Sequence, residues 1–373
     1  RDVGAVGLCA KLLADGLRSG DIVAAFFSAQ TLAAHARVGP TVQSACGSGE
    51  WRALVHHILA VVRSAAAGEV QMPKVVLRQL AVALARLGVW LYDEWPGIIE
   101  EEVRQFHGGV DLLEFLEALA EEPFSSRLLV DGSRRSRFLL ALRGQVPQLL
   151  AALGTAAASG SGAIGLRCTV AWLRALRSFE TWLPMVGVAG GDAAQAALLA
   201  AAPAITMAVK AAQLQLGSDA FEASVDVLDA AAGLVSDTTS AAAQQTLVPL
   251  ISAFAHVSTL VTTSNSTHPA LSGSGLSRDE AAKVLVCMLQ STFKYPELLL
   301  HRATRLETLG VASTLLERSA DLASPDDDDS FLERCLEAWE TLASSCRDHR
   351  IGIAGNGPMP PGVVGLTPAG GEG

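Results

Sequence analysis

The residues of this chain that could do chemistry are few and scattered. Gly160-Ser161-Gly162-Ala163-Ile164-Gly165 fits GxGxxG and opens an apolar helical stretch, and Glu180 stands near the spacing of a ribose-binding acid. A dinucleotide site needs a buried strand just ahead of those glycines. Here the Ala-rich run Gln148 to Ala158 precedes them and reads as helix, so the glycines are expected to form an inter-helix loop. His56-His57 lies inside a helical pattern with no HExxH spacing and no carboxylate at ligand spacing. Asn265-Ser266-Thr267 is a glycosylation sequon, which matters only in a secreted chain. The six cysteines (Cys9, Cys46, Cys168, Cys287, Cys335 and Cys346) form no CxxC pair and read as buried free thiols of a reducing compartment. GxSxG elbows, Walker loops and paired catalytic carboxylates are missing. No catalytic residue, cofactor or metal is expected, and the chain reads as a non-enzyme.

Charge offers three further constellations. Asp326, Asp327, Asp328 and Asp329 are the dense acidic run, read either as a solvated loop that caps the next helix or as a contact for a basic partner. Arg134 and Arg135, with Arg137, cluster at a helix start, where positive charge opposes the helix dipole. They are either solvated surface or a contact for an acidic partner. Lys74, Arg78 and Arg86 make a basic stripe opposite an apolar face, the wet side of a helix or a binding face. The formal net charge of −10 speaks against direct nucleic-acid binding, which requires clustered Lys and Arg. It suits basic partners better.

The elements that must carry these residues are helices. Half the chain is apolar and only 5% is aromatic, and the strict alternation of strands is missing. Periodicity predicts helices near 3–17, 20–38, 49–67, 73–91, 96–106, 109–121, 134–156, 163–183, 192–214, 218–236, 242–263, 277–293, 297–320 and 329–347. Four carry clear apolar stripes: Val76, Leu80, Ala83, Leu84, Leu87 and Leu91; Ile22, Ala25, Phe26, Ala29, Ala33 and Ala36; Phe221, Val225, Leu228, Ala232 and Val235; and Phe331, Cys335, Leu336, Trp339 and Leu342. Asp219 with Glu222 and Ser330 with Glu333 fit capping boxes, and Pro73 suits a helix start. The uncharged stretches Ala193–Val209 and Thr246–Thr262 hold prolines and polar residues and fall short of a membrane span.

Helices of this length with mostly short loops group into pairs of roughly 40–50 residues, the period of HEAT-type arrays. One pair cannot cover its own apolar face, and a neighbouring pair can. The expected fold is therefore an all-α solenoid over residues 1–350 with about seven such pairs, a compact helical bundle being the alternative. Residues 351–373 are Gly/Pro-rich and read as a disordered tail. The first residue is Arg1, and further chain is expected ahead of it.

Several of these helices resemble a known family in order and spacing. Phe26-Phe27-Ser28-Ala29-Gln30-Thr31-Leu32 resembles the FAAQTL helix of importin-β-like nuclear transport receptors. Leu77 to Ala85 is similar to the QLALAIADLA helix of the transportin-SR branch, and Leu112-Leu113-Glu114-Phe115-Leu116 with Glu121-Glu122 to its LLEILTVLPEE helix. Trp172 to Trp182 resembles CLGSWF, and Phe221-Glu222-Ala223-Ser224 resembles HEAAS. The resemblance departs from the family at its first repeat, in 240–300, at an inserted linker over 264–276, and in the family's C-terminal half. It implies a receptor shuttling between nucleus and cytoplasm as a monomer. It would bind Ran-GTP through N-terminal repeats, protein cargo including Arg/Ser-rich proteins, and Phe-Gly nucleoporins, without membrane insertion. It also implies that Asp326 to Asp329 falls near the place of importin-β's Ran-contacting acidic loop. A HEAT scaffold without Ran binding is the alternative.

Overall fold

The computed structural model describes residues 3–39, 48–106, 109–159, 162–182, 198–199, 201–234, 241–263, 276–295, 298–299, 302–322 and 331–349. Among these residues there are fifteen α-helices and no strand, which makes the fold all-α. They are α1 (Val3–Ser19), α2 (Ile22–Val38), α3 (Ser48–Ala66), α4 (Lys74–Leu91), α5 (Ile98–Gln105), α6 (Gly109–Glu121), α7 (Gly132–Ser159), α8 (Gly162–Trp182), α9 (Ala202–Ala212), α10 (Ser218–Ala232), α11 (Ala241–Thr263), α12 (Arg278–Phe293), α13 (Arg302–Glu317), α14 (Ser319–Leu322) and α15 (Phe331–His349).

These helices stack in two rows, as a HEAT-like solenoid requires. In one row each helix touches the next: α2, α4, α6, α8, α10, α12 and α15. The other row holds α1, α3 and α5, then α7, α9, α11 and α13. The reason is visible in α4. A helix with neighbours on both sides of its row and a third element beneath buries almost its whole girth, and α4 buries Val76, Leu77, Leu80, Ala81, Ala83, Leu84, Ala85 and Leu87. At the first position of that row α2 has one row neighbour, and its Ile22, Val23 and Phe27 are exposed.

Local chemistry sets the helix starts. Pro73 precedes α4 in an extended conformation, where its missing N–H is no loss. Asp21 accepts the Ala24 N–H at 3.0 Å and starts α2. Gly39, which ends α2 at φ +62°, lies against the Trp90 ring; a Cβ there would stand 2.1 Å from it, so only glycine fits. A capping box forms at α12, where Ser277 Oγ accepts from Glu280 N–H and Glu280 Oε2 accepts from Ser277 N–H.

The structure corrects several expectations. Asp219 and Glu222 form no capping box, because Gly217 occupies the cap and Asp219 already lies inside α10. Ser330 and Val235 fall outside the described residues. Ile22 and Leu336 leave their predicted stripes and are exposed, while the other described members are buried or half-buried. Cys168 and Cys335 are buried thiols as expected, but Cys287 is exposed. α11 is long and apolar enough to cross a membrane by length and composition over Gln245–Thr262, with 56% of that window buried inside the fold. Pro249 lies within it.

Candidate interaction surface

The densest polar arrangement among the described residues lies across α4, α6 and α8, consecutive helices of one row. On α6, Asp111, Glu114, Glu117 and Glu121 recur every three or four residues and share a face. Lys74 and Arg78, four apart on α4, meet that face from one side, and Arg167 of α8 meets it from the other. Arg78 holds three carboxylates: its Nη1 stands 3.3 Å from both Glu114 Oε2 and Glu117 Oε2, and its Nη2 stands 3.2 Å from Glu121 Oε2. Lys74 Nζ is 3.8 Å from Glu114 Oε1, and Arg167 Nη2 is 3.5 Å from the same oxygen and 3.7 Å from Glu117 Oε2.

Glu114 is the hub, with its side chain only 2% exposed. A carboxylate at that depth is tolerated because cations surround it. Removing such a partner from a buried pair typically costs about 3–5 kcal/mol. Burial also pushes the Glu121 carboxyl up, against the opposing pull of Arg78. It pushes Asp111 up too, reinforced by the neighbouring Glu114 charge. The Cys168 thiol beneath the cluster is driven well above the usual thiol range by its burial, and is unreactive as a nucleophile.

A groove of about 400 Å³ opens over the cluster, lined by Phe26, Lys74, Val75, Arg78, Gln79, Glu114, Glu117 and Arg167. The exposed Val75 borders it, and the exposed Ile22, Val23 and Phe27 lie on the adjoining α2. The row thus presents a charged groove beside exposed apolar side chains, and contiguous exposed apolar surface is a mark of interaction sites. A second concavity of about 570 Å³ lies in the other row between α1 and α3. Val6, Ala10, Ala14, Trp51, Leu54 and His57 line it, with Lys11, Asp15, Arg18 and Glu50 around them. The Trp51 indole N–H is buried there without an acceptor.

Among the residues singled out in the sequence, Lys74 and Arg78 belong to the groove. Arg86 does not: its Nε donates to Glu122 Oε2 at 2.7 Å and its Nη1 to the Ala33 carbonyl at 2.7 Å, tying α4 to α2 and to the turn after α6. Arg134 and Arg135 lie at the start of α7 and are also engaged within the chain. Arg134 donates to the Trp90 carbonyl and stacks over that indole, 5.8 Å from its centroid. Arg135 donates to the Leu128 carbonyl at 2.6 Å. Arg137 forks onto Asp93 at 2.8 and 2.6 Å, which holds that carboxyl below the usual range. Asp131 caps α7 through the Arg134 N–H at 2.8 Å, so acidic neighbours offset the dipole conflict. Asp326, Asp327, Asp328 and Asp329 lie outside the described residues, as does the sequon at Asn265.

His56 stands against Trp95 at 5.1 Å between ring centroids, and His57 Nε2 is 3.0 Å from the Ala10 carbonyl. What precedes Gly162 is helix α7, not a strand, although Gly160 and Ser161 themselves are outside the described residues. Sequence reasoning missed Arg167 and the acids of α6 as site residues. The spacing of Asp111, Glu114, Glu117 and Glu121 was the signal available.

Residues 73–213 match the family model described as exportin 1-like protein, a domain of the importin-β/karyopherin family. The match runs from the cap of α4 to the end of α9 and contains the whole charged cluster, from Lys74 to Arg167. No curated protein matches the chain.

Proposed function

We propose that the chain is the Ran-binding part of a karyopherin, a nuclear transport receptor that carries protein cargo through nuclear pores. The observation that carries this reading is the coincidence of the exportin 1-like match over 73–213 with the charged and apolar face of α4, α6 and α8. The resemblance of the α4 and α6 helices to the transportin-SR branch supports the finer assignment. With it come Arg/Ser-rich cargo, a monomeric receptor and shuttling between nucleus and cytoplasm. Phe-Gly nucleoporin segments have a suitable receptor in the concavity between α1 and α3, where an aromatic ring would meet Ala10, Trp51 and Leu54.

The mechanism follows from stacking. Each helix pair touches only its neighbours, so small rotations at successive interfaces add up to a change of curvature. Ran-GTP on the α4–α6–α8 face favours one curvature and cargo another, so each alters the affinity of the other reciprocally. The test is a pull-down of the chain on immobilised Ran. Retention by Ran loaded with GTP and not with GDP supports the receptor. Equal retention by both forms, or by neither, identifies a HEAT scaffold of another kind.

A further inference from the structure

Among the described residues three glutamates are buried, Glu102, Glu114 and Glu117. Arg78 and Arg167 neutralise the last two. Glu102, in the middle of α5, has no such neighbour, and both its oxygens are buried without a hydrogen-bond partner. Its Oε2 points to the niche that Gly88 of α4 leaves open: a Cβ added there would stand 3.6 Å from it and 3.7 Å from the Phe138 ring of α7. The charged groups of the surrounding helices are engaged elsewhere. Arg52 and His56 of α3 lie against Trp95. Arg86 of α4 is bound to Glu122 and the Ala33 carbonyl, and the Tyr92 ring after α4 lies edge-on to Phe138. On α7, Arg134 is held by the Trp90 carbonyl, Arg135 by the Leu128 carbonyl and Arg137 by Asp93. On α5 itself, Glu101 pairs with Arg104, and Glu100 accepts from Gln145 of α7.

The helix that carries this acid is the one least able to stand alone. α5 has eight residues, and a helix so short holds its form only while it is docked. Its docked face is Ile98, Ile99 and Glu102. That face lies against α3 and α4, while Glu100 ties the helix to α7. We propose that α5 is a proton-held latch: it bridges α3, α4 and α7 while Glu102 carries its proton, and it swings into water when Glu102 ionises. A carboxylate without a partner is strongly disfavoured in the buried niche and well solvated outside it. Burial accordingly keeps the docked carboxyl well above the usual glutamate range. In the released helix it titrates within that range. Between the two values each release gives up one proton, so the opening constant rises about tenfold per pH unit. Below the ordinary glutamate range the latch is held at full strength. Release bares Ile98 and Ile99 and loosens the joint at which the second row passes from α3 to α7, whichever partner the other row binds.

The experiment is hydrogen exchange of the whole chain by mass spectrometry at pH 5, 6 and 7, corrected for the intrinsic change of exchange rate with pH. Protection of the α5 amides should fall by about tenfold per pH unit. At each pH those amides should exchange faster than the amides of α8 and α10, and low urea should leave their rate unchanged, because a local opening exposes little surface. Glu102→Gln keeps the shape of the side chain and cannot ionise, so the pH dependence of α5 should vanish in it, with the thermal melt followed to show that the fold is retained. Should that variant fail to fold, the slope in the parent and its urea response still decide. Protection of α5 that is independent of pH, a slope that survives Glu102→Gln, or α5 amides that exchange no faster than those of α8 and α10 and respond equally to urea each overturn the latch. The last result would mean that Glu102 meets water only when the whole chain unfolds.

Discussion

At the scale of single residues, Glu102 shows how far burial can move an acid. Its side chain is fully buried on α5, neither oxygen has a hydrogen-bond partner, and Oε2 stands 3.6 Å from the place a Cβ on Gly88 would take. Burial drives its carboxyl well above the usual glutamate range. The folded chain therefore holds a proton that the unfolded chain releases. Stability is full below the unfolded glutamate range and is lost as pH rises toward the folded value. Glu102→Leu removes that slope. We expect the variant to be more stable than the parent at pH 8 by about 2 kcal/mol, with the difference shrinking toward pH 5. Urea unfolding midpoints at the two pH values measure it, and a difference independent of pH contradicts the account. Glu114 is the contrasting case: equally deep, but ringed by Lys74, Arg78 and Arg167. The sequence marked Lys74 and Arg78 as a stripe but could not show where they led. Their partners lie on α6, and adjacency in a stack is a tertiary fact.

At the scale of elements, helix existence was legible because each apolar stripe recurs at the helical period. Ala25, Ala29, Ala33 and Ala36 are buried on α2 as the spacing requires. Ile22 stands at the first turn of α2, on a side that no helix among the described residues covers. Caps were less legible. Asp219–Glu222 and Ser277–Glu280 look alike in sequence, yet only the second closes a box, because Ser277 sits outside its helix and Asp219 inside. Ser277→Ala removes a side-chain acceptor from the first turn of α12 and leaves the packed face of Ala281, Ala282 and Leu285 intact. It should destabilise the chain by about 1 kcal/mol. Asp219→Ala, which breaks no cap, should cost less than half of that; chemical denaturation of both variants compares them. Equal losses would show that the cap geometry does not matter.

At the scale of the molecule, the solenoid follows from helix lengths and loop lengths, since a helix pair with two apolar sides must be covered twice. Which helices share a row was not legible, and this is what makes the interaction face. Lys74, Arg78, the acids of α6 and Arg167 are brought together by the row order α4, α6, α8. The chain's Ala-rich composition explains why resemblance among its helices identifies the architecture more readily than the branch. The central claim is that this row face receives the nucleotide-dependent partner, and hydrogen–deuterium exchange tests it most directly. Adding Ran loaded with GTP should slow exchange in α4, α6 and α8 while α11 and α13 are unchanged, and Ran loaded with GDP should slow none of them. Identical exchange with both nucleotide forms, or protection confined to helices outside that row, would contradict it.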